Sequence, residues 1–113
     1  MTVTIFHNPK CSTSRKALEL LQEKGVQPVV VEYLKTGWDA ATLDRLAKET
    51  GVGLSGLLRK REAKTGELLA EGASDDVIRA AMIVEPVLVE RPIVQTDKGA
   101  RIGRPVESIL EIL

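Results

Sequence analysis

The sequence predicts an α/β sandwich in which helices flank a mixed four-stranded sheet, and three observations carry that expectation. Two short apolar runs near the N-terminus, around Val3–Phe6 and in VVVEY, bracket a segment of helical period. A long stretch dominated by helix-like spacing follows. Two further runs, RPIVQT and ARIG, are joined by the turn DKG and read as a hairpin ahead of a closing helix.

Val3, Ile5 and Phe6 form the first strand, closed by the loop-forming pair Asn8-Pro9. From Ser12 the period changes. Ala17, Leu20 and Leu21 share a helical face, Ser12 or Thr13 is expected to cap the first turn, and Lys24-Gly25 stops the helix. Pro28 opens VVVEY, whose lack of strict alternation predicts a strand covered on both faces and paired in parallel. Asp39 caps a helix carrying Leu43, Leu46 and Ala47 that ends at Gly51, and a short helix with Leu54, Leu57 and Leu58 follows. KTGELLAEGAS reads as a loop or weak turn. Ser74-Asp75-Asp76 announces another helix, with Val77, Ile78, Ala81 and Met82 on its apolar side, and Pro86 ends it. After the hairpin, Pro105 starts a last helix bearing Val106, Ile109, Leu110 and Leu113. The order is that of a thioredoxin-like sandwich, a single domain over 1–113 with a helical insertion at about 39–86.

A chain of 113 residues is long enough to bury a core without staples. Sixteen basic residues balance sixteen acidic ones, and no basic arm marks a nucleic-acid binder. The cluster Arg59-Lys60-Arg61 reads first as a solvated helix end. No run reaches the length of a membrane span and the N-terminus lacks a signal-like pattern, so a cytoplasmic protein is expected. With one Cys and one His, neither an internal disulfide nor a Cys/His zinc site is available, and no bound cofactor is expected. Residues GVGLSG match the letters of a dinucleotide fingerprint. They follow a helical pattern instead of a strand, so they read as a helix stop and a helix start.

The chemistry concentrates in HNPKCSTSRKALELL. Cys11 stands between Lys10 and Ser12-Thr13-Ser14-Arg15, a polar and positive setting at a helix N-terminus. Backbone N–H groups of Ser12 to Ser14, with Arg15 or Lys10 nearby, would lower its pKa and make an exposed nucleophile. His7 either orients this loop through hydrogen bonds or simply finishes the strand. Ala17 stands where a phosphatase C-x5-R would place its arginine, and Ser14 stands where C-x-x-C would place a second thiol. A thiolate among hydroxyls and cations suits an oxyanion, and arginine forks match tetrahedral oxyanions in charge and spacing. Arg91 in ERPIV and Arg104 in GRPVE sit at rigid Arg-Pro junctions.

HNPKCSTSRKALELL, LLRKR, ERPIV and GRPVE occur together, in order and at suitable spacing, and by them the chain resembles the glutaredoxin-coupled arsenate reductases, the ArsC family, within a larger group that includes Spx-like regulators. It departs from the family pattern over Lys60–Ser74 and at TGW. The resemblance implies a thioredoxin-like fold with a helical insertion, Cys11 as nucleophile, and Arg59, Arg91 and Arg104 as residues that bind the oxyanion and stabilise the transition state. It implies that His7 and Ser14 tune the thiolate and that the bond before Pro92 is the cis-proline opposite the reactive cysteine. It further implies arsenate as substrate, glutathione as co-substrate and glutaredoxin as partner. Two other activities compete: a Spx-like module that binds RNA polymerase, and a general glutathione-dependent thiol-disulfide oxidoreductase. Ser14 and Arg104 stand at places where such regulators commonly carry a second cysteine and lack the arginine.

Overall fold

In a computed structural model, which describes residues 2–113, the chain divides into two compact units. The first comprises the residues up to Thr36 together with Arg91–Leu113, and the second is Gly37–Glu90.

The first unit holds the sheet. Strands β1 (Thr4–Phe6), β2 (Val29–Val31), β3 (Ile93–Thr96) and β4 (Gly99–Ile102) lie in the order β2-β1-β3-β4. β1 pairs in parallel with β2, Ile5 opposite Val30, and antiparallel with β3, Ile5 opposite Val94. β3 and β4 make the expected hairpin, Thr96 opposite Gly99. Helix α1 (Ser12–Glu23) connects β1 to β2, as a parallel pair requires. One sheet face, carrying Val3, Ile5 and Val94, packs with Ala17 and Leu21 of α1 and with Ile109 and Ile112 near the C-terminus. Each large side chain in this cluster contributes on the order of 1.5–3 kcal/mol by leaving water.

Four expectations are corrected in this unit. β2 is an edge strand, not one covered on both faces: Val29 is 54% and Val30 44% exposed. Its three valines report the branched side chain's fit to extended backbone, not burial. The strand also stops at Val31, and fully buried Tyr33 opens a short helix, α2 (Tyr33–Thr36). At α1 the N-cap is Cys11 itself, so Ser12 and Thr13 lie inside the helix. The last helix is a 3-10 helix over Val106–Ile112. Its buried side chains, Ile109 and Ile112, are three apart as that geometry demands, whereas Leu110 is 38% exposed. Thr96 Oγ1 donates to the carbonyl of Ile112 at 2.7 Å and ties this helix to the hairpin.

The second unit is helical: α3 (Ala40–Thr50), α4 (Gly53–Leu57), α5 (Ala63–Ala70), α6 (Asp75–Val84) and a 3-10 turn at Pro86–Leu88. Asp39 caps α3 by accepting the Thr42 N–H at 2.7 Å, and Gly51 ends it in the left-handed region at φ 77°. Glycine suits that position because side-chain-bearing L residues are strained at this positive φ, although the space around it is open. α4 starts two residues later, so GVGLSG is a helix stop and a helix start. Ser74 Oγ accepts the Val77 N–H at 3.3 Å and caps α6, whose inward residues are Ile78 and Met82, while Val77 is half exposed. KTGELLAEGAS was expected to be a loop, yet most of it is α5. Gly66 hides the pattern in the sequence; buried Thr65 and Leu68 anchor the helix, and Thr65 Oγ1 donates to the Arg59 carbonyl at 2.7 Å.

Leu21→Ala should lower the unfolding free energy by about 2–5 kcal/mol through lost burial and a residual cavity. Leu110→Ala should change it by less than about 0.5 kcal/mol, as at other exposed sites. Urea denaturation of both variants checks this; equal losses would contradict the assigned inward face.

Candidate active site

The first unit brings the thiol, His7, Ser14, Arg91 and Arg104 together. β1 hands the chain to a short loop, and the His7 N–H still donates to the Val31 carbonyl at 2.8 Å, extending the parallel pairing by one residue. Asn8, Pro9, Lys10 and Cys11 then form a turn closed by the Cys11 N–H donating to the Asn8 carbonyl at 3.0 Å. Asn and Pro suit the first two positions of such a turn. Asn8 Oδ1 also accepts the Lys10 N–H at 3.0 Å. Cys11 is extended, φ −94° and ψ 122°, and its carbonyl accepts the Arg15 N–H at 3.0 Å, which starts α1.

Ser14 is the first residue of the buried stripe Ser14, Ala17 and Leu21, so the helix carries its hydroxyl inward. There Ser14 Oγ accepts the Asn8 N–H at 3.0 Å and shares a 2.6 Å hydrogen bond with His7 Nδ1. Of the two readings of His7, the loop-orienting one describes this geometry. Burial lowers the imidazole pKa; Glu32 opposes the shift and Arg15 adds to it. His7 therefore stays neutral near pH 7 and acts through hydrogen bonding.

The Cys11 pKa lies below the ordinary thiol value. Partial burial pushes it up, and that push is outweighed by the Ser14 N–H, the Arg91 side chain, the Thr13 N–H and the Arg91 charge. The sulfur makes no conventional capping bond, but the helix N-terminus faces it with positive dipole ends. Arg104 Nη2 lies 3.6 Å from Sγ, and Arg104 Nε donates to the Arg91 carbonyl at 2.8 Å. The cations at the sulfur thus come from the hairpin and from the start of the closing segment, not from the neighbouring sequence. Arg15, expected to tune the thiolate, instead donates from Nη1 to the Pro9 carbonyl at 2.8 Å and braces the turn. Lys10 is exposed.

The hairpin ends are interlocked. The Arg91–Pro92 bond is cis, as the resemblance implied, and so is Arg104–Pro105, which no signal in the sequence announced. The Gly103 N–H donates to the Pro92 carbonyl at 2.8 Å. A Cβ on Gly103 would lie 2.8 Å from Pro92 Cγ, closer than real contacts allow. Asn8 and Gly103 are positions beside the thiol and the hairpin ends that sequence reasoning passed over. The Asn-Pro pair marked a loop and GRP marked a junction, but neither pair reveals what it touches.

Arg59 belongs to the second unit. Its N–H donates to the Leu88 carbonyl at 2.7 Å, which fixes the backbone beside the bridge between Leu58 and Val89. Its side chain is only 13% exposed; Nε is 3.9 Å from Glu62 Oε1, and buried Nε and Nη1 have no hydrogen-bond acceptor among the described residues. Lys60 and Arg61 are solvent-exposed, so the solvated-end reading of the cluster holds for those two alone. Among the described residues no group of three or more His, Cys, Asp or Glu could hold a metal ion, and no helix is long and apolar enough to cross a membrane.

A model of the ArsC family matches residues 6–112. The uncharacterized protein YfgD of Escherichia coli strain K12 is 49% identical, over 98% of this chain and 96% of its own. The arsenate reductase of the same strain is 42% identical, over 98% of this chain and 80% of its own. A solved structure of an arsenate reductase from Vibrio cholerae superposes with a TM-score of 0.92 at 44% identity, covering 100% of this chain and 98% of that one. This similarity shows the thioredoxin-like fold.

The Cys11 thiol should titrate below the ordinary thiol value, read by ultraviolet thiolate absorbance and by the pH dependence of alkylation. Arg91→Ala should raise the midpoint, and each unit of rise lowers the thiolate fraction about tenfold at any pH below the parent's midpoint. Folding depresses this pKa, so the parent should gain stability over Cys11→Ser as pH rises from the folded toward the unfolded value, and lose that gain as pH falls through the folded value. Gly103→Ala should raise the thiol midpoint by displacing Arg104; an unchanged midpoint would show that the close approach does not serve the sulfur.

Proposed function

The chain belongs to the ArsC family, and on that premise we propose that it reduces arsenate to arsenite through an adduct on Cys11, with glutathione and glutaredoxin supplying the electrons in the cytoplasm. The observation that carries this reading is the pairing of a low-pKa thiol with two guanidinium side chains, Arg104 Nη2 being 3.6 Å from Sγ. A dianionic oxyanion would meet charge-assisted donors there, and arginine forks favour tetrahedral oxygens over a bare negative charge. Arg59 enters the proposal through the family resemblance and through its buried N–H donors, for which an oxyanion would be a fitting acceptor.

In the proposed sequence the Cys11 thiolate attacks arsenic, a sulfur–arsenic bond forms, and an arsenate oxygen leaves as water after protonation. Arginine donors oppose the charge that accumulates on the remaining oxygens. Glutathione then attacks the Cys11 sulfur. The electron pair of the sulfur–arsenic bond passes to arsenic, which leaves as arsenite, and a mixed disulfide remains on Cys11. Reduction takes two electrons, and the chain holds one cysteine, so the second thiol must come from outside. A glutaredoxin thiolate next attacks the glutathione sulfur and releases Cys11 as thiolate, an exchange favoured when the leaving thiol has a low pKa.

The single cysteine and the arginine beside it weigh against a Spx-like sensor, whose thiol pair has no counterpart here. A general thiol transferase would share Cys11 and its lowered pKa but would give no use to oxyanion binding by the arginines.

Arsenate-dependent NADPH consumption with glutathione, glutaredoxin and glutathione reductase should be seen with the parent and abolished in Cys11→Ser. Arg104→Lys and Arg59→Ala should each lose at least about tenfold in kcat/KM, the scale of about 1.4 kcal/mol of lost transition-state stabilisation. Phosphate should inhibit without driving NADPH oxidation. Equal rates in the parent and Arg104→Lys, or turnover of a glutathionylated peptide without any of arsenate, would refute the assignment.

A further inference from the structure

Asn8 sits at the centre of the loop that delivers the thiol, and it is 8% exposed. Its backbone N–H donates to Ser14 Oγ at 3.0 Å, its carbonyl accepts the Cys11 N–H at 3.0 Å, and its side-chain Oδ1 accepts the Lys10 N–H at 3.0 Å. The first bond joins the loop to the His7–Ser14 pair, and the other two close the turn that ends on Cys11. An asparagine side chain that accepts the N–H two residues on holds a turn that the backbone bond alone closes more loosely.

The sulfur's environment depends on that turn. Cys11 must hold the extended dihedrals of an N-cap while its sulfur faces the N–H groups of Thr13 and Ser14 on one side and Arg91 and Arg104 on the other. These interactions fall steeply with distance, and none of them comes from Asn8. The Asn8 side chain does none of the chemistry, yet it closes the turn from which the thiol projects.

We propose that Asn8 is a positioning residue: by holding the Lys10 N–H, its Oδ1 sets the Asn8–Cys11 turn so that Sγ faces the α1 N-terminus and the Arg91 and Arg104 guanidiniums. The role rests on Cys11 being the reacting group. It is separable from the other parts of the reductase reading.

The test titrates the thiol of purified full-length Asn8→Ala and Asn8→Ser by thiolate absorbance and by alkylation rate across pH, with circular dichroism as the control for folding. Serine keeps a weaker acceptor for the Lys10 N–H. In Asn8→Ala the midpoint should rise, with alkylation slower by about three- to tenfold at a pH one unit below the parent's midpoint. Asn8→Ser should recover more than half of the loss. A midpoint in Asn8→Ala equal to the parent's, or equal shifts in both variants, would overturn the role. Should Asn8→Ala not fold, Asn8→Leu, of similar size and without an acceptor for the Lys10 N–H, decides: a raised midpoint with the parent's circular dichroism supports the role, and an unchanged midpoint overturns it. No readout uses arsenate, so a parent inactive on arsenate would leave this result standing. A parent active on arsenate with an unmoved thiol in Asn8→Ala would sink the positioning role alone.

Discussion

Lowering the pKa of a partly buried thiol is the constraint on which the first unit's architecture turns. Burial alone disfavours the thiolate, so the fold has to set fixed positive dipoles and charges around it. The N-terminus of α1 supplies the dipoles. Because the helix begins immediately after Cys11, the Ser14 and Thr13 N–H groups act on the sulfur without any dedicated side chain. A local feature of this kind is stable only if the preceding loop is rigid, and Asn8, Ser14 and His7 hold that loop through bonds of 2.6–3.0 Å.

The charges arrive over a longer path. Arg91 and Arg104 flank the hairpin, and the antiparallel pairing of β3 with β4 brings the two ends of that hairpin side by side. Gly103 lets them approach closely, and the Arg91 carbonyl takes the Arg104 Nε donor, leaving Nη2 to face the sulfur. Pairing of β3 with β1 then sets the hairpin beside the strand that leads to Cys11. One sheet therefore leads to both the thiol and the cations beside it. The core of Val3, Ile5, Leu21, Val94 and Ile109 that packs the sheet against α1 also holds the strand leading to the thiol and the hairpin carrying the arginines together.

In the second unit, Arg59 stands apart from the basic residues that follow it. Its backbone is pinned on both sides, by the Leu88 carbonyl and by Thr65 Oγ1, so the point from which its buried side chain projects is specified by the fold of Gly37–Glu90. Lys60 and Arg61 carry the same charge and are solvated. Burial of one arginine in three adjacent basic residues is the distinction that a count of charges misses.

Much of this protein is legible in its residue order. Periodicity marks α1, α3 and α6, Asp39 and Ser74 act as the caps they resemble, and DKG makes its hairpin, because these features depend on neighbours within a few residues. The position of Cys11 at the start of α1 is likewise written locally. What residue order left open depends on contacts between distant segments. The exposure of Val29 and Val30 follows from β2 lying at the sheet edge, α5 forms despite Gly66, and the last helix takes a 3-10 path with Leu110 outward. The cations at the sulfur also belong to this class: Arg15, four residues away, turns to the Pro9 carbonyl, while Arg104, ninety-three residues away, reaches Sγ. Helix caps and periods are written in local backbone geometry, whereas strand order and the approach of Arg104 to Cys11 arise only when the sheet closes.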